Sequence, residues 1–192
     1  MNKQVLSLLL TLATLTSFAE PKPKRVLIGS PVHQKPAILK EFLDSLARLD
    51  RSEIEIDYFF VDDNEIAESS NLLIDFAKQQ TKSCCALFKN PRKEEAYHCN
   101  ETTHYWSHEL IWKVASFKDR MIERALNDGY DYLFLIDSDI VMNPRTIEHL
   151  VRTEKDIISE IFWTQWLPEQ PELPQVWVSD IYNLYEKVNG NN

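Results

Sequence analysis

The sequence predicts an α/β domain with a mostly parallel sheet, and three observations support this fold class. Short apolar runs rich in β-branched and aromatic residues alternate with longer segments whose apolar residues recur at helical spacing. Several of the apolar runs end in polar turns, as the buried strands of a parallel sheet do. The composition, with 192 residues of which 44% are hydrophobic and 27% charged, is that of an ordinary globular chain.

The elements follow in order from a short linker at 20–24, which alternates proline and lysine. Residues 25–29 predict the first strand, and residues 37–49 predict a helix for which Pro36 suits the first turn. The remaining strand candidates are 54–61, 84–88, 132–136 and 156–162. The remaining helix candidates are 69–80, 105–126 and a short helix capped by Asn143-Pro144 and running through Val151. A polar stretch at 89–103 and a loop at 167–174 complete the prediction.

The first nineteen residues predict a cleaved secretory signal. A lysine near the start precedes an apolar stretch at 5–15, and the small residues Ser17 and Ala19 precede Glu20. The apolar stretch is shorter than the roughly 20 residues that span a bilayer, so a membrane anchor in a secretory lumen is the weaker alternative. We therefore expect an exported protein with a single domain over 25–192. One disulfide between Cys99 and either Cys84 or Cys85 is permitted there.

Charge and glycine content argue against several classes of binding protein. The chain has 21 lysines and arginines against 30 acidic residues, a net charge of -9, which disfavours nucleic acid and anionic membranes as partners. Its three glycines form neither of the glycine-rich loops that hold phosphates through backbone amides. A nucleotide would therefore have to be held in another way.

Acidic and amide side chains follow two of the predicted strands. Asp62, Asp63 and Asn64 follow one strand, and Asp137 and Asp139 follow another. Because the carboxyl ends of parallel strands meet at one edge of a sheet, we expect these groups to converge. A divalent cation such as Mn²⁺ or Mg²⁺ would relieve their repulsion, and it needs only one or two protein carboxylates when substrate phosphates complete its coordination. The pattern predicts a metal-held diphosphate.

A simpler interpretation exists for each acidic turn. Asp and Asn after a strand also form ordinary turns and helix caps, and for the 62–64 segment this interpretation is equally good. For Asp137 and Asp139 the functional interpretation is favoured. Five apolar residues lead directly into these two acids, and keeping two carboxylates beside a buried strand is costly for a turn that has no other role.

A lysine in the longest predicted helix points to the same edge. We expect the apolar stripe of this helix to have Lys118 at its centre, with its ammonium reaching the acidic edge to pair with a phosphate or an aspartate. The alternative is a lysine stem on the core with its ammonium in water. Lys113, Arg120 and Arg124 lie off this stripe and are predicted to be solvated. The stripe itself consists of Ile111, Val114, Ala115, Met121, Ile122 and Ala125.

The chain contains, in this order, the segments Arg25-Val-Leu-Ile-Gly-Ser-Pro31, Tyr58-Phe-Phe-Val-Asp-Asp-Asn64 and Tyr132-Leu-Phe-Leu-Ile-Asp-Ser-Asp-Ile140. Together these segments resemble glycosyltransferases of the GT-A fold, particularly family 2-like enzymes. The resemblance covers roughly residues 25–166. It implies a three-layer α/β/α sandwich, a nucleotide-diphosphate sugar as donor and Mn²⁺ or Mg²⁺ as cofactor. The acceptor, a glycan, protein or small molecule, is not specified by it.

The same resemblance implies roles for individual residues. The first-loop contact to the donor falls on Ser30 and Pro31, and the base-reading aspartate falls on Asp63 or Asp62, next to Asn64. Asp137 faces the ribose and the metal, and Asp139 binds the metal. Lys118 would stabilise the departing diphosphate. The acceptor side takes Glu160, Trp163 and Trp166, and Asp180 is the candidate catalytic base because no Glu-Asp or Asp-Asp pair follows Asp139.

Three other functions fit parts of the sequence. Asp137 could be the nucleophile of a haloacid-dehalogenase-type phosphatase, but that family carries the motif on its first strand and at least three predicted strands precede it here. The group formed by His98, Cys99, His104 and His108 with Cys84 or Cys85 matches no common zinc spacing, so surface histidines are favoured. A non-catalytic module that binds a sugar nucleotide or a glycan shares every donor-side residue with the enzyme and remains the main alternative.

Overall fold

The computed structural model describes residues 22–91, 97–99, 104–165 and 169–174. The predicted signal at 1–19, Trp166 and Asp180 therefore lie outside the described residues. Among the described residues, no helix has the length and apolar character needed to cross a bilayer. The elements in chain order are β1 (Lys24–Val32), α1 (Pro36–Ala47), β2 (Ile54–Asp62), α2 (Ala67–Gln79), β3 (Cys85–Lys89), β4 (His98–Cys99), β5 (His104–Tyr105), α3 (His108–Asn127), β6 (Tyr132–Leu135), α4 (Thr146–Arg152), β7 (Trp163–Thr164) and β8 (Leu173–Pro174).

The central sheet has four strands in the order β3-β2-β1-β6, and each neighbouring pair is parallel. Two short antiparallel pairs, β4 with β5 and β7 with β8, lie outside it. The chain adds β2 and β3 on one side of β1 and then returns to place β6 on the other side. Open α/β sheets bind ligands where the strand order reverses in this way, which here is outside the carboxyl ends of β1 and β6.

Helices cover both faces of the sheet. On β1 and β2 the even-numbered side chains, such as Ile28 and Phe60, pack against α1, α2 and Ile147 of α4. The odd-numbered side chains, such as Leu27 and Val61, pack against α3. Because side chains alternate along a strand, each strand divides its residues between two separate cores. The predicted three-layer α/β/α sandwich with a mostly parallel sheet is confirmed.

The helix α3 lies very close to β1 at a glycine. A Cβ on Gly29 would stand 2.8 Å from Sδ of Met121 and 3.2 Å from its Cβ, which is closer than packed atoms approach. Gly29 therefore allows the helix to settle on the strand at this level. This contact sets the height of α3 above the edge where the acidic turns lie.

The strand predicted at 156–162 is wrong. The segment has no strand pairing in the structure, and its apolar side chains face solvent, with Ile157 93% exposed. Its β-branched composition is typical of a strand, but a strand also needs a neighbouring edge to pair with. The pairing that does form comes later, between Trp163–Thr164 and Leu173–Pro174, and the second of these lies in the predicted loop at 167–174.

Two smaller expectations also need correction. Asn143 does not cap α4: its side-chain oxygen accepts from the backbone nitrogen of Arg145 at 3.0 Å, and the helix begins at Thr146. This bond closes a local turn ahead of the helix. Cys84 and Cys85 are free thiols, so neither forms the disulfide that the sequence permitted.

Candidate functional site

The strand ends bring the predicted acidic turns to one edge of the sheet. Val32 of β1 stands beside Asp62 of β2, and Asp62 stands beside Lys89 of β3. On the other side, Leu135 of β6 is level with Gly29, so the turn after β6 continues beside the last residues of β1. The acidic turns after β2 and β6 therefore flank β1 at its carboxyl end, as predicted.

The two adjacent aspartates after β2 point to opposite faces of the sheet. Asp62 is turned toward α2, where its Oδ1 accepts from the backbone nitrogen of Asn64 at 3.0 Å, from its amide at 2.8 Å and from Ser70 Oγ at 3.1 Å. Its Oδ2 lies 3.0 Å from Nζ of Lys89. The hydrogen-bonding capacity of this carboxylate is therefore filled by the protein itself.

The pKa of Asp62 reflects two opposing effects. Burial of the carboxylate acts to raise its pKa, while the hydrogen bonds from Lys89, Asn64 and Ser70 act to lower it. The hydrogen bonds prevail, and the pKa lies below its ordinary value. Asp62 is thus held as a charged residue that anchors the turn.

Asp63 faces α3 instead and lines a small cavity of about 20 Å³, which has room for about one water molecule. Its Oδ1 accepts from the Asn90 amide at 2.7 Å, and its Oδ2 accepts from the Tyr97 hydroxyl at 2.9 Å and lies 2.8 Å from Lys113 Nζ. The Tyr97 ring stacks on His33 with centroids 3.9 Å apart, and His33 Nδ1 donates to the Asp63 carbonyl oxygen at 2.8 Å. Asp63 therefore lies at the centre of a preorganised polar and aromatic cluster.

The prediction that Lys113 is solvated is wrong. Its side chain is only 13% exposed and that of Asp63 only 6%, so the ion pair between them is largely removed from water. The buried face of α3 runs along Leu110, Phe117, Met121 and Ala125, whereas Ile111 and Ile122 of the predicted stripe are exposed. Relative to this observed buried face, Lys113 and Lys118 lie on opposite flanks of α3.

Lys118 therefore does not lie at the centre of the buried stripe. Its ammonium is 4.0 Å from Oδ1 of Asp137, and the two side chains are 40% and 68% exposed. The predicted contact between this helix and the acidic turn after β6 is present, but it is loose and open to solvent. Lys113 therefore contacts the turn after β2, and Lys118 contacts the turn after β6.

The turn after β6 could hold a divalent cation together with a phosphate ligand. Asp137 and Asp139 are exposed, and Ser138 between them is buried, so the turn presents carboxylate oxygens toward solvent. Among the described residues, no group of three or more His, Cys, Asp or Glu side chains could hold a metal ion. Hard carboxylate oxygens suit Mn²⁺ or Mg²⁺, and two of them suffice when phosphate and water complete the coordination. The residues fit such an ion bound with a diphosphate.

The other predicted donor contacts divide between the two faces. Pro31 is half-buried and, by the alternation along β1, faces α3 between Asp63 and Asp137. Ser30 is fully buried on the opposite face, where its hydroxyl donates to the Pro31 carbonyl oxygen at 3.3 Å. Asn64 is buried too, and its side-chain oxygen accepts from the Gln34 backbone nitrogen at 2.8 Å. Of the two predicted first-loop contacts, which both lie within β1, only Pro31 therefore faces α3 and the proposed donor.

The predicted acceptor-side residues are only partly described. Glu160 and Trp163 are exposed on the segment after α4, with Trp163 in the short strand β7. The sequence interpretation missed Tyr97, Asn90 and Lys113 around Asp63. The spacing of Leu110, Phe117 and Met121 was the signal that could have revealed Lys113, since it places that lysine beside the buried face.

Comparison with known proteins identifies the family of this chain. The model of "Glycosyltransferase family 25, N-terminal domain" matches residues 22–167. The chain belongs to this family. The matched range contains the whole four-stranded sheet of the family 25 domain and both acidic turns. The resemblance to glycosyltransferases seen in the sequence is confirmed.

Among solved structures, the family 25 domain is similar to the crystal structure of S. aureus TarS, residues 1–349. The two are 19% identical, with a TM-score of 0.40, and the match covers 67% of this chain and 31% of that one. The chain thus spans about a third of the TarS structure. No curated protein matches the sequence.

Proposed function

We propose that this chain is a metal-dependent glycosyltransferase that moves a sugar from a nucleotide-diphosphate donor to an acceptor hydroxyl. The observation that supports this most directly is that Asp63 and Asp137 share the α3 face of one sheet edge, with β1 between them. Neighbouring strands lie about 4.8 Å apart, so two strand spacings separate these residues by about 10 Å. This separation suits the two ends of a nucleoside diphosphate.

The nucleoside end of the donor lies at Asp63. Asp63 is preferred to Asp62 as the base-reading residue, because it lines the cavity on the α3 face, whereas Asp62 is turned toward α2 on the opposite face. A cavity with space for one water does not hold a nucleobase, so the base lies over the cavity or takes space from the side chains that close it. Pro31 lies beneath the donor, between its nucleoside end and its diphosphate.

The diphosphate end lies at the turn after β6. Asp137 and Asp139 would hold Mn²⁺ or Mg²⁺, which when bound supplies Lewis-acid stabilisation of the charge on the departing diphosphate. Lys118 adds a positive charge at the same place, and its partial exposure leaves it free to turn from Asp137 to a phosphate oxygen. The acceptor hydroxyl then attacks the anomeric carbon, and a carboxylate takes its proton. For that carboxylate Asp180 and Glu160 are our candidates.

Assay of the purified protein with Mn²⁺ and a panel of uridine and guanosine diphosphate sugars tests this function. Release of the nucleoside diphosphate, with transfer or hydrolysis of the sugar, is the expected result. Metal-dependent binding without release would favour the non-catalytic module, a function consistent with the lack of a third carboxylate near Asp137 and Asp139 among the described residues. Failure to bind any donor in the presence of the metal would contradict both the transferase and a module that binds sugar nucleotides.

A further inference from the structure

The small cavity at Asp63 is closed by an aromatic pair, His33 and Tyr97. Their rings are nearly parallel, with centroids 3.9 Å apart and an interplanar angle of 23°. Tyr97 also donates its hydroxyl proton to Oδ2 of Asp63 at 2.9 Å, and Nζ of Lys113 lies 5.1 Å from the centroid of its ring. The remaining volume of about 20 Å³ is too small for a nucleobase. Tyr97 therefore fills space beside the residue proposed to read the base.

The contacts of Tyr97 are of the kind that a nucleobase makes with a protein. A base is a flat ring that stacks on an aromatic side chain and donates an N–H group along its edge. Tyr97 is a flat ring that stacks on His33 and donates an O–H group to Asp63. A carboxylate oxygen has two acceptor positions, and on Oδ2 of Asp63 the other one is taken by Lys113. The tyrosine and a base would therefore compete for the same place.

The other residues around the cavity are held in place without Tyr97. His33 Nδ1 donates to the Asp63 carbonyl oxygen at 2.8 Å, and the Asn90 amide donates to Oδ1 of Asp63 at 2.7 Å. The backbone nitrogen of Asn90 donates to the last carbonyl oxygen of β2 at 2.9 Å, and Lys113 extends from α3. Tyr97 instead lies outside the central sheet and the helices that cover it. Its side chain can leave while the stacking surface and the carboxylate stay where they are.

We propose that Tyr97 is an internal substitute for the base of the donor. In the free protein it occupies the base position, which is the space over the His33 ring next to Oδ2 of Asp63, and the base displaces it on binding. The proposal rests on the proposed function and adds an autoinhibitory contact to it. Because only the molecules with the base position open can bind, the apparent affinity for a nucleotide is reduced by the fraction that is open.

Calorimetric titration with UDP and GDP in the presence of Mn²⁺ tests the proposal. Tyr97→Ala removes the ring and the hydroxyl, so its affinity for the preferred nucleotide should rise at least about tenfold. Tyr97→Phe keeps the stacking ring and loses the hydrogen bond to Asp63, so its affinity should rise by a smaller factor. Trp112→Ala removes an exposed aromatic residue that does not line the cavity, and it should bind as the original chain does. Circular dichroism of all three variants checks that they are folded.

Inorganic pyrophosphate is a matched control ligand because it has no base. Its Mn²⁺-dependent affinity should be the same for Tyr97→Ala and for the original chain. A gain for pyrophosphate equal to the gain for the nucleotide would overturn the proposal, since the gain would then not arise at the base position.

Failure of this inference differs from failure of the proposed function. Nucleotide binding that is unchanged or weaker in Tyr97→Ala would overturn the inference and leave the proposed function intact, and weaker binding would make Tyr97 part of the surface that holds the base. Binding of a nucleotide by Tyr97→Ala but not by the original chain would support both. Absence of nucleotide binding in the original chain and in both Tyr97 variants would contradict the proposed function and the inference with it.

Discussion

The ends of β2 and β6 carry similar acidic sequences, yet the fold surrounds them differently. At the end of β2, Asp62 and Asp63 each accept hydrogen bonds on both carboxylate oxygens from neighbouring side chains. At the end of β6, Asp137 has one ammonium 4.0 Å away and Asp139 is exposed. Buried carboxylates must be compensated within the protein, whereas the exposed carboxylates of Asp137 and Asp139 are accessible to a ligand from solvent. The comparison separates acids that build the site from acids that can hold a cation.

The largest expected effect is the loss of donor binding when Asp139, in the exposed turn after β6, is substituted. Asp139→Ala should abolish metal-dependent donor binding, a loss of about 100-fold or more, because a carboxylate ligand is removed from an ion with few protein ligands. The melting temperature should change little, since Asp139 is exposed. Calorimetric titration of the donor with Mn²⁺ measures the first quantity, and Asp119→Ala, an exposed acid of α3, is the control. An unchanged affinity of Asp139→Ala for the donor would show that Asp139 does not bind the metal.

The opposite result is expected at the buried turn. Asp62→Asn should lower the free energy of unfolding at pH 7 by about 2 kcal/mol, because charge-assisted hydrogen bonds from Lys89 and its neighbours are weakened. The folded variant should still bind the donor. Urea titration and calorimetry provide the two measurements.

The pH dependence of the same variant sharpens this contrast. The folded pKa of Asp62 is depressed, so its stabilisation is present above the unfolded pKa of about 3.9 and is lost as the pH falls below that value. The stability difference between the original chain and Asp62→Asn should therefore shrink on acidification below about pH 4. A difference that stays constant down to pH 3 would contradict the charged role of Asp62.

The smallest expected effect is at Lys118. Lys118→Met keeps most of the stem and removes the charge, so donor affinity should fall about three- to tenfold while the free energy of unfolding stays within about 0.5 kcal/mol. Donor binding should also become less sensitive to salt, since one screened attraction is absent. The exposed Lys155→Met is the control. Loss of stability with unchanged donor affinity would make Lys118 a structural residue.

Much of the fold could be predicted because β1 and β2 are buried on both faces, and the partly buried side chains of β6 pack against both cores. Such strands appear as unbroken apolar runs, and the helices between them appear as amphipathic stripes. The same logic failed at 156–162, whose apolar residues are exposed in the structure. Strand pairing depends on a partner edge, which local composition does not contain.

The sequence predicted the acids of the candidate site and the contact of Lys118 with the turn after β6, but not the contact of Lys113 with Asp63. The alternation along β2 already implies that Asp62 and Asp63 face opposite sides, but the structure was needed to show which side α3 covers. The rotation of α3 was misjudged because Ile111 and Ile122 suggest a stripe as plausible as that of Leu110 and Phe117. The two stripes share Met121 and Ala125, and only the structure shows that Leu110 and Phe117 are the buried residues and that Lys113 meets Asp63.

The sequence by itself determined the α/β class, the order of the main elements and the acidic turns at their ends, because these depend on local periodicity and on the strand polarity that a parallel sheet imposes. Only the tertiary structure decided which acids are enclosed and which lysine meets each acid. Those features depend on the rotation and height of one helix above the sheet, and these are set by contacts between residues far apart in the chain.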